Sequence, residues 1–238
     1  MWGLFGHLLT RGYEVYMNRY PSDKEFIGIY PEVFHGNVMN APKVVRYILN
    51  KPGVMGAGNR GEPLVAGPKA FDEREKLYYF SRLFGDTDDD HYLFLPILNL
   101  DIFKNQRRKR TQRGVFVGKG DDLQRHKPGA IIINRELSED QQELADTLNE
   151  CEVLYTYDMV SAMTEIARLC GCRVVYLSDY YTKEEYEKYE PGINGMSFGK
   201  DEGVPLDTVA FRKHYISLMT TFNKKFDKFL EETQREKY

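Results

Sequence analysis

Short apolar runs that alternate with helical patterns between residues 114 and 178 constrain the fold of this chain most strongly. Four runs have the length and apolar content of buried strands, and two stretches between them carry apolar residues at helical spacing. Strands that alternate with helices pack as a parallel sheet covered by helices, which predicts an α/β fold with a Rossmann-type sheet. The predicted strands are residues 114–120, 130–133, 153–157 and 173–177, and the predicted helices are residues 138–149 and 160–170.

Local signals indicate where the helices begin and end. Ser138 and Gln141 have the spacing of a capping box at the start of the first helix. Asp158 is a good N-cap for the second helix, and Gly171 is suited to end it. A last, long helix is predicted over residues 208–235, with an apolar stripe that needs a lobe to pack on. The stripe consists of Val209, Ile216, Met219, Phe222, Phe226 and Phe229.

The first half of the chain predicts a smaller, less regular α/β lobe. Apolar residues at helical spacing over residues 4–9 predict a helix that ends at Gly12, and alternation over residues 13–17 predicts a strand. Two further apolar and aromatic segments, residues 76–84 and 92–98, are predicted strands.

A basic segment separates the two halves. Between Lys104 and Arg113 there are six basic residues and no apolar residue, which we interpret as a hinge. The predicted division is a shortened N-terminal lobe of residues 1–103, a Rossmann-like lobe of residues 104–205, and residues 206–238 as a helix that packs back across the lobes.

The composition favours a cytoplasmic globular protein. The 238 residues are 42% hydrophobic, and the net charge of -3 gives no general argument for binding nucleic acid. Cys151, Cys170 and Cys172 match neither a disulfide framework nor zinc spacing, so buried reduced thiols are predicted. No apolar run approaches the ~20 residues that cross a bilayer, and the first residues lack the basic start of a signal peptide.

Two segments at predicted carboxyl ends of strands are candidates for ligand binding, because ligands of parallel sheets bind there. Gly118 allows the backbone to approach a ligand, and Lys119 supplies a charge for phosphate. Asp158, Ser161 and Glu165 share one polar stripe of the predicted second helix. A serine in its first turn can donate to a diphosphate, and a glutamate two turns in can accept ribose hydroxyls. A polar face alone is weak evidence for ligand binding, because every amphipathic helix has one. The interpretation as a binding site depends on the position of this helix, which begins at the carboxyl end of a predicted strand.

The segment from Leu154 through Val175 resembles the donor-site segment of retaining GT-B glycosyltransferases of bacterial polysaccharide or O-antigen biosynthesis. It has Glu165, then Ala167, and then Cys170-Gly171 before a valine-rich strand. The resemblance implies that Glu165 holds the ribose of the nucleotide and that Lys119, in its Gly-Lys-Gly loop, lies near the diphosphate. Shorter patches at residues 30–37 and 44–53 are similar to segments of bacterial polysaccharide glycosyltransferases.

Two departures from the family pattern make donor binding better supported than catalysis. The family usually has a first Glu eight positions before the ribose Glu, and here that position is Tyr157, with Asp158 beside it. The family's N-terminal lobe opens with a strand and a Gly-rich loop near the donor, whereas here the first predicted element is a helix. The acceptor lobe is therefore expected to be reduced.

We expect a hexosyltransferase that moves a sugar from a nucleotide-diphosphate sugar to a glycan or lipid-linked acceptor, with no metal or other cofactor. Lys119 would neutralise the diphosphate as the bond to the sugar breaks. Ser161 and the backbone from Asp158 would hold phosphate oxygens, and Glu165 would hold the ribose. The residues expected at the donor site are Gly118, Lys119, Asn134, Arg135, Tyr157, Asp158, Ser161 and Glu165, of which Lys119 and Glu165 are the catalytic candidates.

Other interpretations stay open. The chain is alternatively a non-catalytic nucleotide- or glycan-binding module, completed as a homo-oligomer or by a partner chain. The carboxylates of residues 86–90 suit a divalent metal in a metal-dependent transferase, although a solvated acidic turn is favoured. The segment from Lys104 to Arg113 lacks the aromatics for stacking nucleic-acid bases, so its alternative role is contact with the inner face of a membrane. His7 and His35 are interpreted as ordinary single histidines.

Overall fold

A computed structural model describes residues 2–16, 26–57, 65–118, 129–199 and 203–235. The chain divides into two compact units. Unit 1 comprises Met1–Pro96 with Leu218–Tyr238, and unit 2 comprises Ile97–Ser217. The domain boundaries predicted at residues 103 and 205 stay a prediction.

Unit 1 is built on a three-stranded sheet in the order β1-β2-β5, in which both pairs of neighbours are parallel. Helix α1 is formed as predicted, and Gly12 follows it with a φ of 82°, the left-handed conformation that ends helices. The elements are α1 (Trp2–Thr10), β1 (Ile27–Pro31), β2 (Lys43–Ile48), the antiparallel pair β3 (Gly56–Ala57) and β4 (Val65–Ala66), β5 (Lys76–Tyr79) and a 3-10 turn (Asp89–His91).

Aromatic side chains dominate the core of unit 1. Tyr47 on β2 and Tyr78 on β5 are buried, and the Tyr47 hydroxyl donates to the Leu93 carbonyl at 2.7 Å. The ring of Tyr78 lies edge-on to Phe229, with 4.8 Å between centroids, and Phe226 stacks on Phe229. Because each aromatic side chain removes a large area from water, a small sheet suffices for this core.

Two strand predictions in unit 1 are wrong. Residues 13–16 are irregular, while the last residue of that predicted strand, Met17, lies outside the described residues. In the predicted strand of residues 92–98, only Tyr92 forms a bridge, to Tyr79. The segment is apolar because it packs on the core as irregular chain, where Leu93 is buried.

Unit 2 contains a five-stranded sheet in the order β10-β9-β8-β6-β7, in which every pair of neighbours is parallel. All four strands predicted in this half of the chain are confirmed, and β10 is an addition. The strands are β6 (Gln112–Phe116), β7 (Ile131–Ile132), β8 (Cys151–Thr156), β9 (Arg173–Tyr176) and β10 (Met196–Phe198).

The helices of unit 2 are α2 (Arg135–Glu139), α3 (Gln141–Glu150), α4 (Met163–Leu169) and α5 (Lys183–Tyr186). The predicted capping box at Ser138 is wrong. Asp140 has an extended backbone and accepts hydrogen bonds from the N–H groups of Gln142 and Glu143, so α3 begins there. Ser138 belongs to α2 and donates to the Asn134 carbonyl at 2.7 Å.

Helix α4 begins later than predicted. Its N-cap position is Ala162, which has no capping side chain, and Asp158 lies before it in the loop after β8. The prediction that Asp158 caps this helix is therefore wrong. The predicted end is confirmed, because Gly171 follows the helix with a φ of 86°.

Helix α6 spans Thr208–Leu230 and continues into a π-helical turn, Glu231–Arg235. Its predicted apolar stripe is correct only in the second half, where Phe222, Phe226 and Phe229 are buried. In the first half the buried residues are Phe211 and Tyr215, whereas Val209, Ile216 and Met219 are exposed. The buried and the exposed residues of this half both have helical spacing. Which of the two sets faces the interior therefore depends on the packing of the helix against the rest of the chain.

The described residues thus form an α/β protein with parallel sheets, and the sheet of unit 2 is Rossmann-like. None of the helices formed by these residues is both long enough and apolar enough to cross a membrane.

Candidate functional site

The strand order of unit 2 reverses between β6 and β8. The chain runs from β6 outward to β7 on one side, returns to β8 on the other side of β6, and continues to β9 and β10. In open parallel sheets such a reversal opens a crevice at the carboxyl ends of the strands, where ligands bind. Phe116 and Thr156 are the last paired residues of β6 and β8, so the loops that follow them border the candidate site.

Gly118, in the loop after β6, meets Asp158, in the loop after β8. The φ of Gly118 is 56°, in the left-handed region that favours glycine. A β-carbon at this position would stand 2.7 Å from the Cβ of Asp158 and would overlap its carboxylate. The backbone conformation and the lack of space for a β-carbon thus both require a glycine at position 118. Gly118 and Asp158, two of the predicted site residues, are brought together where the strand order reverses.

Asp158 is held in place by its neighbours. Its side chain is almost fully buried, with 3% exposed, and its N–H donates to the Thr156 hydroxyl at 3.2 Å. The Tyr176 hydroxyl donates to the carbonyl of Met159 at 3.1 Å. Burial raises the pKa of Tyr176, and the nearby carboxylates of Asp158 and Asp179 raise it further. A carboxylate at the end of β8 therefore lies close to a phenol from the end of β9.

Ser161 lies between this carboxylate and helix α4. It is half-buried, and its Oγ accepts a hydrogen bond from the N–H of Met163 at 3.2 Å. A serine hydroxyl that accepts one such bond keeps its own O–H for donation to a ligand oxygen.

Glu165 is a buried group of the interior of unit 2. Its side chain is 3% exposed, and its carboxylate accepts a hydrogen bond from the Tyr189 hydroxyl at 2.8 Å. Burial raises the pKa of Glu165 to about 7, although the Tyr189 hydrogen bond and the charge of Arg168 act in the opposite direction. The residue expected to hold the ribose thus takes its hydrogen bond from within the protein.

Arg168 is fully buried on the same helix. It donates to the carbonyls of Thr164, Gly192 and Asn194, and its guanidinium lies 4.2 Å from the centre of the Phe211 ring. Burial lowers the pKa of Arg168 to about 10. Its hydrogen bonds to Gly192 and Asn194 join α4 to the segment between α5 and β10.

The remaining predicted site residues have different surroundings. Lys119 lies outside the described residues. Tyr157 is buried in an apolar cluster with Val115 and Val175, so this position belongs to the core. Asn134 caps α2 by accepting from the N–H of Leu137, and Arg135 is the first residue of that helix.

Two residues that the sequence interpretation missed contribute to this region, Tyr176 and Tyr189. Tyr176 ends a strand that was predicted, so its closeness to the carboxyl edge could have been found from the pattern. Tyr189 lies 24 residues from Glu165 along the chain, and no local signal links the two.

The acidic segment of residues 86–90 makes ion pairs within unit 1. Asp89 pairs with Arg82 and Lys225, and Asp90 pairs with Lys228. Within the described ranges no cluster of three or more His, Cys, Asp or Glu residues could hold a metal ion.

The basic segment that follows Lys104 contributes to the structure of unit 2. Arg110 donates to the carbonyls of Leu148 and Cys151 at 3.0 and 2.8 Å. Arg108 pairs with Asp146 on helix α3. Part of the positive charge of the segment is therefore used internally.

Comparison with known proteins adds no relative. No protein-family model matches the chain, and neither a curated protein nor a solved structure matches it significantly.

Proposed function

We propose that this protein is a glycosyltransferase of the GT-B type and that unit 2 binds its nucleotide-diphosphate sugar at the carboxyl edge between β6 and β8. The observation that carries the proposal is the contact of Gly118 with Asp158 at the point where the strand order reverses. Ligands of doubly wound sheets bind at this point, and a buried carboxylate there suits a ligand rich in hydroxyl groups.

The charge of Asp158 decides which part of the ligand it contacts. A carboxylate repels phosphate, so Asp158 is assigned to hydroxyl groups of the sugar or the ribose. The phosphate oxygens are assigned to the Ser161 hydroxyl and to Lys119 in the loop after β6. Departure of the nucleoside diphosphate requires stabilisation of its charge, which a lysine supplies.

Glu165 requires a separate assignment. Its carboxylate accepts the Tyr189 hydroxyl in the interior, so a bond to the ribose would require that contact to break. Substitution separates the two roles. With a ribose ligand, Glu165→Gln lowers affinity about tenfold or more, because a charged acceptor is lost. With a purely internal role, Glu165→Gln leaves affinity unchanged, as does Tyr189→Phe.

The test of donor binding is calorimetry with UDP-, GDP-, ADP- and dTDP-sugars. One of these is expected to bind, and Asp158→Asn is expected to weaken it by about 10- to 100-fold, the loss typical of a hydrogen bond to a charged group. Asp101→Asn, an exposed carboxylate of the same unit, is the matched control and leaves affinity unchanged. Failure of all four donors to bind would contradict the proposal.

A second candidate is a module that binds the nucleotide sugar without transferring it. The observation that favours it is Tyr157, which is buried in the core where the family has its first Glu. Donor binding without release of nucleoside diphosphate, over a panel of glycan and lipid-linked acceptors, would support this module over the enzyme.

A further inference from the structure

We propose that the end of helix α6 is held on unit 1 by a latch that tightens when His91 takes up a proton. The latch joins the π-helical turn Glu231–Arg235 to strand β5 and to the 3-10 turn Asp89–His91. All of these elements belong to unit 1, so the inference is independent of the proposed donor site in unit 2. It concerns the end of α6 and not the cores of the two units.

The carboxylate of Glu232 is the centre of the latch. One of its oxygens, Oε2, accepts the hydroxyl of Tyr78 at 2.6 Å and lies 3.2 Å from Nε2 of His91. The backbone carbonyl of Glu232 accepts the ammonium group of Lys76 at 3.0 Å. Lys76 and Tyr78 are two residues apart on β5, so their side chains share one face of the strand. Side chains from two separate elements thus converge on one residue of the π-helical turn.

Aromatic rings shield this carboxylate partly from water. The Tyr78 ring lies 4.9 Å from the His91 ring and 4.8 Å from the Phe229 ring, measured between centroids. The side chains of His91 and Glu232 keep 31% and 20% of their surface exposed. A partly buried pair is screened less than a surface pair, and this exposure still allows the imidazole to exchange protons with water.

Other charges near the latch have partners of their own. Asp90 is paired with Lys228 on α6, and Lys228 also lies 4.0 Å from Oε1 of Glu232. Glu232 makes the ion pair with the imidazole itself. The titratable groups around His91 are Lys76 and Tyr78 on β5, Lys228 and Glu232 at the end of α6, and Asp88 and Asp90 beside it in the chain.

The direction of the pH response follows from the charges of the pair. Burial acts to raise the pKa of Glu232, but the hydrogen bond from Tyr78 and the charge of His91 outweigh burial and lower the pKa. The carboxylate is therefore ionised near neutral pH. A histidine gains its charge as pH falls from about 8 to about 5. A charge-assisted hydrogen bond is stronger than a neutral one, so the latch tightens at low pH and loosens as pH rises.

A second histidine acts on α6 in the opposite direction. The ring of His7, on α1, packs on Phe222 and Phe226, with 4.8 and 5.8 Å between centroids. Burial and the charge of Arg11 lower the pKa of His7, so its protonation opposes this packing. Its effect is expected around Phe222 and Phe226, before the π-helical turn. The two responses are therefore separable along the helix.

Hydrogen exchange of the full chain, followed by mass spectrometry, tests the inference. After correction for the intrinsic effect of pH on exchange, the amides of residues 229–235 should exchange about fivefold more slowly at about pH 5.5 than at about pH 8. His91→Gln keeps a hydrogen-bond donor but gains no charge, so this difference should disappear. Glu232→Gln should remove it as well, because the charged acceptor is lost.

Matched controls are available for the histidine. His214→Gln, on the first half of α6, removes an imidazole that contacts the Glu190 carbonyl, and residues 229–235 should keep the native response. His7→Gln should also keep it, while the response around Phe222 changes. Circular dichroism at about pH 8 shows whether each variant is folded.

Two results would overturn the inference. One is a native chain whose residues 229–235 show no slower exchange at low pH, whatever the variants do. The other is a response of equal size in the native chain and in either His91→Gln or Glu232→Gln. These two variants change the latch from opposite sides, so one of them serves as the test if the other does not fold. Nucleotide-sugar binding is not part of this measurement, so the two proposals fail separately.

Discussion

The two units bury arginine in different ways. In unit 1, Arg46 is 1% exposed and makes two hydrogen bonds to the Glu75 carboxylate, at 2.6 and 2.9 Å. In unit 2, Arg168 is fully buried and donates to three backbone carbonyls, and it has no carboxylate within ion-pair distance among the described residues. The charge of Arg46 is thus neutralised by a direct partner, whereas that of Arg168 is stabilised by backbone dipoles and by the Phe211 ring.

The different surroundings of the two arginines predict how each unit responds to substitution and to pH. A direct pair such as Arg46 with Glu75 is stable while both members are present, and removal of one leaves an uncompensated charge. In unit 2, Glu165 lies on the same helix as Arg168 and has its pKa raised by burial, so its charge depends on pH. Unit 1 is therefore expected to be sensitive to substitution of its pair, and unit 2 to pH.

The largest effect is expected for Arg46→Ala. Loss of the guanidinium leaves Glu75 buried and alone, which should lower the free energy of unfolding of unit 1 by about 3–5 kcal/mol. Denaturant unfolding followed by circular dichroism measures this loss. Arg74→Ala is the control, because its ion pair with Asp72 is exposed and little change is expected. Equal losses in the two variants would contradict the role given to the buried pair.

The next effect concerns Glu165 and pH. The folded pKa of about 7 lies above the ordinary value of 4.5, so the folded state keeps a proton that the unfolded state has released. Stability therefore falls as pH rises from 4.5 to 7 and is level above that range, with a total loss on the order of 3 kcal/mol. Glu165→Gln cannot ionise, so its stability relative to the native chain should increase by this amount across the same range.

Unfolding of the two proteins at several pH values measures the effect. The exposed substitution Glu184→Gln provides the control and should follow the native pH profile. A constant difference between Glu165→Gln and the native chain from pH 4.5 to 7 would show that the carboxylate does not titrate in this range.

The parallel sheet of unit 2 was predictable because its signals are local. Strands β6 to β9 are apolar runs between turn residues, and Gly171 marks the end of α4 in both sequence and structure. The start of α4 was not predictable, because Asp158 does not cap the helix but lies against Gly118, 40 residues earlier in the chain. Which of two helically spaced sets faces inward on α6 likewise depends on its packing partners.

The candidate site was predictable to a similar extent. The positions of Gly118 and Asp158 follow from the rule that loops after parallel strands meet at one edge. The burial of Glu165 does not follow, because it depends on Tyr189, Arg168 and the segment between α5 and β10, which are distant in sequence.

A smaller effect on stability, but a specific one on binding, is expected for Gly118→Ala. The substitution combines a left-handed backbone with overlap of the Asp158 side chain, and should cost about 1–3 kcal/mol. Gly129→Ala also has a left-handed backbone, with a φ of 84°, and no atom of the described residues lies within 4 Å of the added carbon, so it measures the backbone cost alone.

Calorimetry with the nucleotide sugar then separates the two variants. Only Gly118→Ala moves Asp158, so only this variant should lose affinity. Equal affinity in both would place the ligand away from the reversal of the strand order.

The smallest effect on stability is expected from removal of the N-cap of helix α3 in unit 2. Asp140 accepts two backbone N–H groups at the start of α3, so Asp140→Ala should cost about 1 kcal/mol in chemical unfolding followed by circular dichroism. Ser138→Ala is the matched variant: its hydroxyl bonds to the Asn134 carbonyl inside α2 and should contribute less. If Ser138→Ala were the more destabilising of the two, the helix would begin at Ser138, as the predicted capping box requires. The separation of α2 from α3 at Asp140 would then be contradicted. With the expected order, α3 is stabilised at its start by the side chain of its own N-cap aspartate. The N-cap residue of α4, Ala162, has no such side chain, and this helix is held by the hydrogen bonds of its buried arginine.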